Sequence, residues 1–187
     1  MSVAAQSQPS MTAEEFLAWE REQPERYEFV DGEVFGMVGA SLAHAEIAGN
    51  LCAMLRAALL PRGCKVYQSD VKVPVERRYF YPDVVVRCGP RDPRGEAVTE
   101  PVLIAEVLSP STRRYDQAQK WDYYQRLPSL RSCLLIDQQR VSVHVYQRNG
   151  AVWTYRSHIT LDEVVVLDEP ACRLHVAELY AGIDGLA

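Results

Sequence analysis

Apolar and polar residues change rhythm along this chain, and the changes mark out its elements. Thr12 followed by Glu15 is a capping-box pattern. It predicts a short helix carrying Phe16, Leu17 and Trp19 and closed by Pro24. In Tyr27-Glu28-Phe29-Val30-Asp31-Gly32-Glu33-Val34-Phe35 the Asp-Gly pair sits between β-forming runs, which predicts a hairpin. Ser41 opens a long helical pattern that reaches about Leu60 and stops at Pro61 and Gly63. Strand-like runs follow at 65–75, 80–87 and 102–108, the last two separated by a loop rich in Gly, Pro and Arg at 88–100. A second helix is predicted over about 114–127, ending before Pro128. Residues 133–137 read as another strand, and the alternating runs 141–147 and 152–157 flank Asn149-Gly150 as a second hairpin. A short run at 164–167 pairs nearby, and 175–180 closes with a helical turn. The order predicts one α/β domain, a mixed central sheet flanked by helices with β-hairpins at both ends.

Composition narrows this picture. The 187 residues suit a single domain over 11–187, preceded by a small, polar segment, 1–10, expected to be disordered. A net charge of −5 argues against a protein that coats nucleic acid through many phosphate contacts, while leaving room for a local basic patch. Only Lys65, Lys72 and Lys120 are lysines; the remaining basic residues are arginines. The five cysteines, Cys52, Cys64, Cys88, Cys133 and Cys172, form no CxxC pair and read as reduced thiols of a cytosolic protein. Neither a signal peptide nor a membrane-length apolar run is seen, so the expectation is a soluble, cytoplasmic protein.

Two acids stand out against this background. Asp83 heads a run of valines, and Glu106 interrupts Val102-Leu103-Ile104-Ala105-Glu106-Val107-Leu108. Apolar runs of this kind are buried on both faces, where a carboxylate costs several kcal/mol unless it is compensated. A hard divalent cation shared by both would compensate each and remove their repulsion. Taken one at a time, each acid reads more simply as a strand-end residue or as the partner of an arginine such as Arg87. Beyond Glu106, Asp116 and Lys120 are four apart and share a helical face. They read either as an exposed ion pair or as a helix returning a lysine to the acids.

Tyr81-Pro82-Asp83, then Glu106-Val107-Leu108-Ser109-Pro110-Ser111-Thr112 with Asp116, Lys120 and Tyr124, resembles the Uma-type restriction endonuclease family of the PD-(D/E)XK nuclease superfamily. The resemblance takes in Tyr27–Glu33, Ser41 and His44 upstream and runs to about Tyr180. It implies a restriction-endonuclease-like fold and an Mg²⁺- or Mn²⁺-dependent endonuclease acting on DNA. It also implies that Asp83 and Glu106 are metal ligands, with the Val107 carbonyl as a third. The superfamily places its lysine two residues after the second acid, where this chain has Leu108. The Uma-type pattern draws it from the next helix, which falls on Lys120; Lys72, in the strand before Asp83, is the rival. Glu28 and His44 join the candidate catalytic set, although a solvent-facing strand residue and a helix-cap histidine are the blander readings. Arg113 and Arg114, with Arg77, Arg78, Arg91 and Arg94, are candidate loop contacts to DNA. A homodimer is expected, with the 141–157 hairpin as its interface. The alternative is a catalytically weak or inactive module of the same fold that binds nucleic acid or a protein.

Overall fold

The computed structural model of the chain describes residues 11–37, 40–90, 95–109 and 119–186. Helix α1 (Ala13–Glu20) starts where the capping box places it, with the Thr12 and Glu15 side chains each bonding the other's backbone N–H. Strands β1 (Tyr27–Val30) and β2 (Glu33–Gly36) form the first hairpin. Its turn has φ of 52° at Asp31 and 94° at Gly32, the left-handed pair that a two-residue hairpin turn requires. Helix α2 (Leu42–Leu59) begins on the Ser41 cap, whose hydroxyl accepts the His44 N–H. A short 3₁₀ turn at Leu60–Arg62 ends it.

Strands β3 (Cys64–Gln68), β4 (Val73–Val75), β5 (Arg78–Phe80), β6 (Val84–Cys88) and β7 (Leu103–Leu108) follow. Next come α3 (Trp121–Tyr124), β8 (Ser132–Asp137), β9 (Val143–Asn149), β10 (Val152–His158), β11 (Val164–Leu167), β12 (Cys172–His175) and α4 (Val176–Leu179). Six strands make the main sheet in the order β10-β9-β8-β7-β6-β3, in which only β7 and β8 run parallel. A four-stranded antiparallel sheet, β2-β1-β5-β4, and the ribbon β11–β12 complete the fold. The main sheet separates two apolar layers. Ile47, Leu51 and Leu55 of α2 cover Val84, Val86, Ala105, Val107 and Leu134 on one face. On the other, Tyr124 and Leu127 pack with Val85, Ile104, Leu108, Leu135 and the small sheet's Val73 and Phe80.

Several expectations are corrected. The runs 65–75 and 80–87 are not continuous strands; each breaks and contributes one strand to the main sheet and one to the small sheet. Pro82, with no N–H to donate, lies at the second break and leaves Asp83 at the head of β6. The first hairpin joins the small sheet through the pairing of β1 with β5. The second hairpin turns at Gly150-Ala151, since Asn149 pairs with Val152. Cys64 and Cys88 are not free thiols: they face each other across β3 and β6 and are joined as a disulfide. A separation of 24 residues hid that pairing, because only strand register brings the two together. Cys52, Cys133 and Cys172 remain free. Segment 1–10, the helix start near Arg114 and its Ser111 or Thr112 cap lie outside the described residues. No described helix is long and apolar enough to cross a membrane.

Candidate active site

The site lies at one end of β6 and β7. Continuing the register Val84↔Ala105 sets Asp83 opposite Glu106 on adjacent antiparallel strands. Asp83 Oδ2 accepts the Val107 N–H at 2.7 Å. Leu108 gives its carbonyl to Gln138 N–H on the β8 side, so by alternation Val107 turns both N–H and C=O towards β6 and Asp83. Asp83 Oδ1 meets His44 Nε2 at 2.9 Å, while its own carbonyl accepts the Ser69 N–H. The Ser41 cap fixes the first turn of α2, and with it His44; the same hydroxyl donates to Gln138 at 2.7 Å. Among the predicted site residues, His44 is thus a partner of Asp83 rather than a bare helix cap.

Glu106 is 3 % exposed and points into the layer opposite α2. Its Oε1 accepts the Tyr124 hydroxyl at 2.6 Å and Lys120 Nζ at 3.3 Å. Lys120 lies in a π-type turn that opens α3, one helical turn before Tyr124, so a single face delivers both donors to one carboxylate oxygen. Glu28 arrives from the small sheet. It is buried, its Oε1 lies 2.8 Å from Lys120 Nζ, and the same oxygen accepts the Tyr81 N–H at 3.2 Å. The solvent-facing reading of Glu28 therefore fails: Glu28 and Val30 are both buried, and Val30 packs into the same layer that receives Glu106. Burial, then the negative charge of Glu106, pushes the Tyr124 phenol well above its ordinary pKa, so it stays a donor. The same two causes raise the Cys133 thiol.

The rival lysine is engaged elsewhere. Lys72 Nζ lies 2.5 Å from Glu20 Oε2, and Tyr81 donates its hydroxyl to Glu20 Oε1. Nor is Arg78 a loop residue open to phosphate, as the sequence suggested. It belongs to β5, pairs with Asp31 and Glu76, and stacks on Tyr123. Arg77 is exposed in the turn beside it. Arg91, Arg94, Arg113, Arg114 and Asp116 lie outside the described residues. Tyr124 belonged to the sequence motif but had no assigned role; its spacing of four from Lys120 was the available signal.

Among the described residues no three His, Cys, Asp or Glu side chains are grouped to hold a metal ion. The candidate oxygen donors are the Asp83 and Glu106 carboxylates and the Val107 carbonyl. All are hard oxygens, the set that suits Mg²⁺ or Mn²⁺, ions that bind through one or two carboxylates and retain several waters. Asp83 Oδ1 and Oδ2 each meet one described partner, and Glu106 Oε1 meets two.

Residues 13–177 match the Uma2 family, described as "Putative restriction endonuclease". Two Synechocystis sp. proteins described as uncharacterized are similar. One, slr1290, is 36% identical over 144 residues, 75% of this chain and 76% of its own. The other, sll1609, is 39% identical over 145 residues, 75% of this chain and 82% of its own. A crystal structure of a "putative nuclease belonging to DUF820" from Anabaena variabilis shares the fold, with a TM-score of 0.70 at 20% identity over 91% of this chain and 98% of that one. The mixed sheet with flanking helices is thus of the restriction-endonuclease-like type, and the chain belongs to the Uma2 family.

Proposed function

We propose that this protein hydrolyses phosphodiester bonds in DNA as a homodimer, using Mg²⁺ or Mn²⁺ bound by Asp83, Glu106 and the Val107 carbonyl. One observation carries the reading. Lys120 Nζ meets two buried glutamates, Glu28 and Glu106, with Asp83 one strand away. Buried carboxylates gathered in this way are stabilised by a nearby cation. A divalent ion supplies an activated water and neutralises charge on the phosphoryl oxygens.

The chain's own residues then have distinct tasks. Lys120, held between Glu28 and Glu106, presents an ammonium that orients the attacking water or stabilises charge developing at phosphorus. Glu28 positions Lys120, and Tyr124 anchors Glu106. His44 holds Asp83 from the α2 side. Arg113 and Arg114, just ahead of Lys120 in sequence, bind the DNA backbone. The deciding experiment is a cleavage assay on DNA of varied form with Mg²⁺ or Mn²⁺, with Asp83→Ala as control. Metal-dependent cleavage abolished by Asp83→Ala is the expected result. Wild-type protein that binds nucleic acid but cuts neither DNA nor RNA with any divalent ion would replace the enzyme with a binding module.

A further inference from the structure

At the far end of the main sheet, β10 is a strand with one partner only. It lies outermost in the sheet order and pairs with β9 without interruption from Val152↔Asn149 to His158↔Val143. Arg148 gives its N–H to Arg131 on the β8 side, so Asn149, Gln147, Val145 and Val143 face β10 and bond Val152, Thr154, Arg156 and His158. Trp153, Tyr155 and Ser157 therefore direct their backbone N–H and C=O groups outward. No described residue pairs with that side.

Edge strands that remain monomeric are usually short, bulged, or guarded by proline or lysine. Val152-Trp153-Thr154-Tyr155-Arg156-Ser157-His158 is unbulged and has no proline or lysine; its one always-charged residue, Arg156, turns its backbone groups to β9 rather than outward. The opposite edge, β3, is two residues shorter and carries an exposed Lys65. Exposed apolar side chains gather on the β10 side as well. Of the eight large hydrophobic residues exposed among those described, five are Val152, Tyr155, Ile159, Leu161 and Val166.

We propose that the outer edge of β10 joins two copies of this chain by antiparallel β10–β10 pairing about a two-fold axis through Tyr155. A second copy is the occupant that this segment fits. Centring on Tyr155 sets Tyr155 against Tyr155 and Trp153 against Ser157, so the three outward residues on each strand exchange backbone hydrogen bonds. Arg156 then faces Thr154 and Val152 faces His158, so no like charges meet across the seam. The arrangement is isologous and closes on itself. With the axis normal to the sheet, both copies present the same face, and their Glu106 side chains lie on one side of a continuous sheet. That consequence rests on the nuclease reading; the pairing itself does not.

The test is the mass of the full chain in solution by sedimentation, with a register-specific cross-link. Wild type should sediment as a dimer of the 21.1 kDa chain. A directly opposed, hydrogen-bonded antiparallel pair has a Cα separation within disulfide reach. Mild oxidation of Tyr155→Cys should therefore yield a covalent dimer, and wild type with its own cysteines should not. Ser157→Pro removes one outward N–H per copy and leaves the β9 ladder intact, so dimer dissociation should rise roughly thirtyfold for two lost hydrogen bonds. Tyr155→Lys, which sets like charges in contact, serves if the proline variant does not fold. A monomeric wild type at high concentration, a dimer indifferent to both variants, or no cross-link through Tyr155→Cys would each overturn the pairing. Because mass is read without substrate, failure here leaves the cleavage assay untouched, and an inactive protein can still prove the dimer.

Discussion

Two lysines keep nearly the same company in this molecule, and their difference separates a tie between elements from a candidate chemical site. Lys72 has one glutamate, Glu20, which also accepts the Tyr81 hydroxyl at 2.5 Å. Lys120 has two, Glu28 and Glu106, and Glu106 likewise accepts a buried tyrosine, Tyr124. In each cluster a phenol is pushed up, first by burial and then by the neighbouring glutamate. The first cluster is charge-balanced and ties α1 to the small sheet. The second sets one ammonium between two buried glutamates, one from each sheet, and Asp83, paired with His44, heads the neighbouring strand. A one-to-one ion pair satisfies itself, whereas gathered buried carboxylates favour a bound cation. The number of carboxylates at the ammonium, not residue type, distinguishes the two.

The sharpest way to break this comparison is to delete each lysine. Lys72→Met and Lys120→Met should each lose roughly 3–5 kcal/mol of stability in urea, because each strands a buried carboxylate. Only Lys120→Met should also lose cleavage, on the order of a hundredfold or more per folded molecule. If Lys72→Met abolishes cleavage and Lys120→Met does not, the assignment of the lysine reverses.

Metal gives the next largest contrast. Saturating Mg²⁺ or Mn²⁺, at about a hundred times its dissociation constant, should stabilise wild type by roughly 2–3 kcal/mol in thermal melts. Glu20→Gln should keep that gain, and the Asp83→Asn, Glu106→Gln double variant should lose it. Equal melting shifts in all three proteins would dismiss a shared site at Asp83 and Glu106.

The tyrosines sharpen the comparison at smaller scale. Tyr81→Phe and Tyr124→Phe each remove one buried hydroxyl donor, worth about 1–3 kcal/mol when its partner is left short. Calorimetric titration with Mn²⁺ should find weaker binding in Tyr124→Phe alone, because that hydroxyl fixes a proposed ligand. Unchanged Mn²⁺ affinity would reduce Tyr124 to a packing role.

An exposed cluster calibrates the rest. The Tyr123 hydroxyl, more than Arg78, holds Asp31 below its ordinary pKa, and the Asp31 side chain is 56% exposed. Its folded pKa is depressed, so its contribution is full above the unfolded carboxylate pKa and fades as pH falls through the folded value. Solvent screening limits it to well under about 1 kcal/mol. Asp31→Asn should flatten the acid limb of a stability–pH curve slightly, and a larger change would show that exposed pairs here matter as much as buried ones.

How much of this was legible beforehand depends on distance along the chain. The Thr12–Glu15 cap, the Asp31-Gly32 turn, the Ser41 cap and the long helix behind it are set by residues a few positions apart, and each formed as the pattern indicated. Other features arise from topology, which couples segments with no local signal between them. Breaks in the runs 65–75 and 80–87 sent their halves to different sheets. The small sheet then carried Glu28 from an apparent surface position to Lys120, and α1 brought Glu20 to Lys72. Register alone brought Cys64 to Cys88. Capping, turn formation and side-chain alternation are energies of neighbouring residues and can be read in order. The pairing of buried charges is an energy of the assembled core, and which lysine meets which glutamate is fixed only when the two sheets pack.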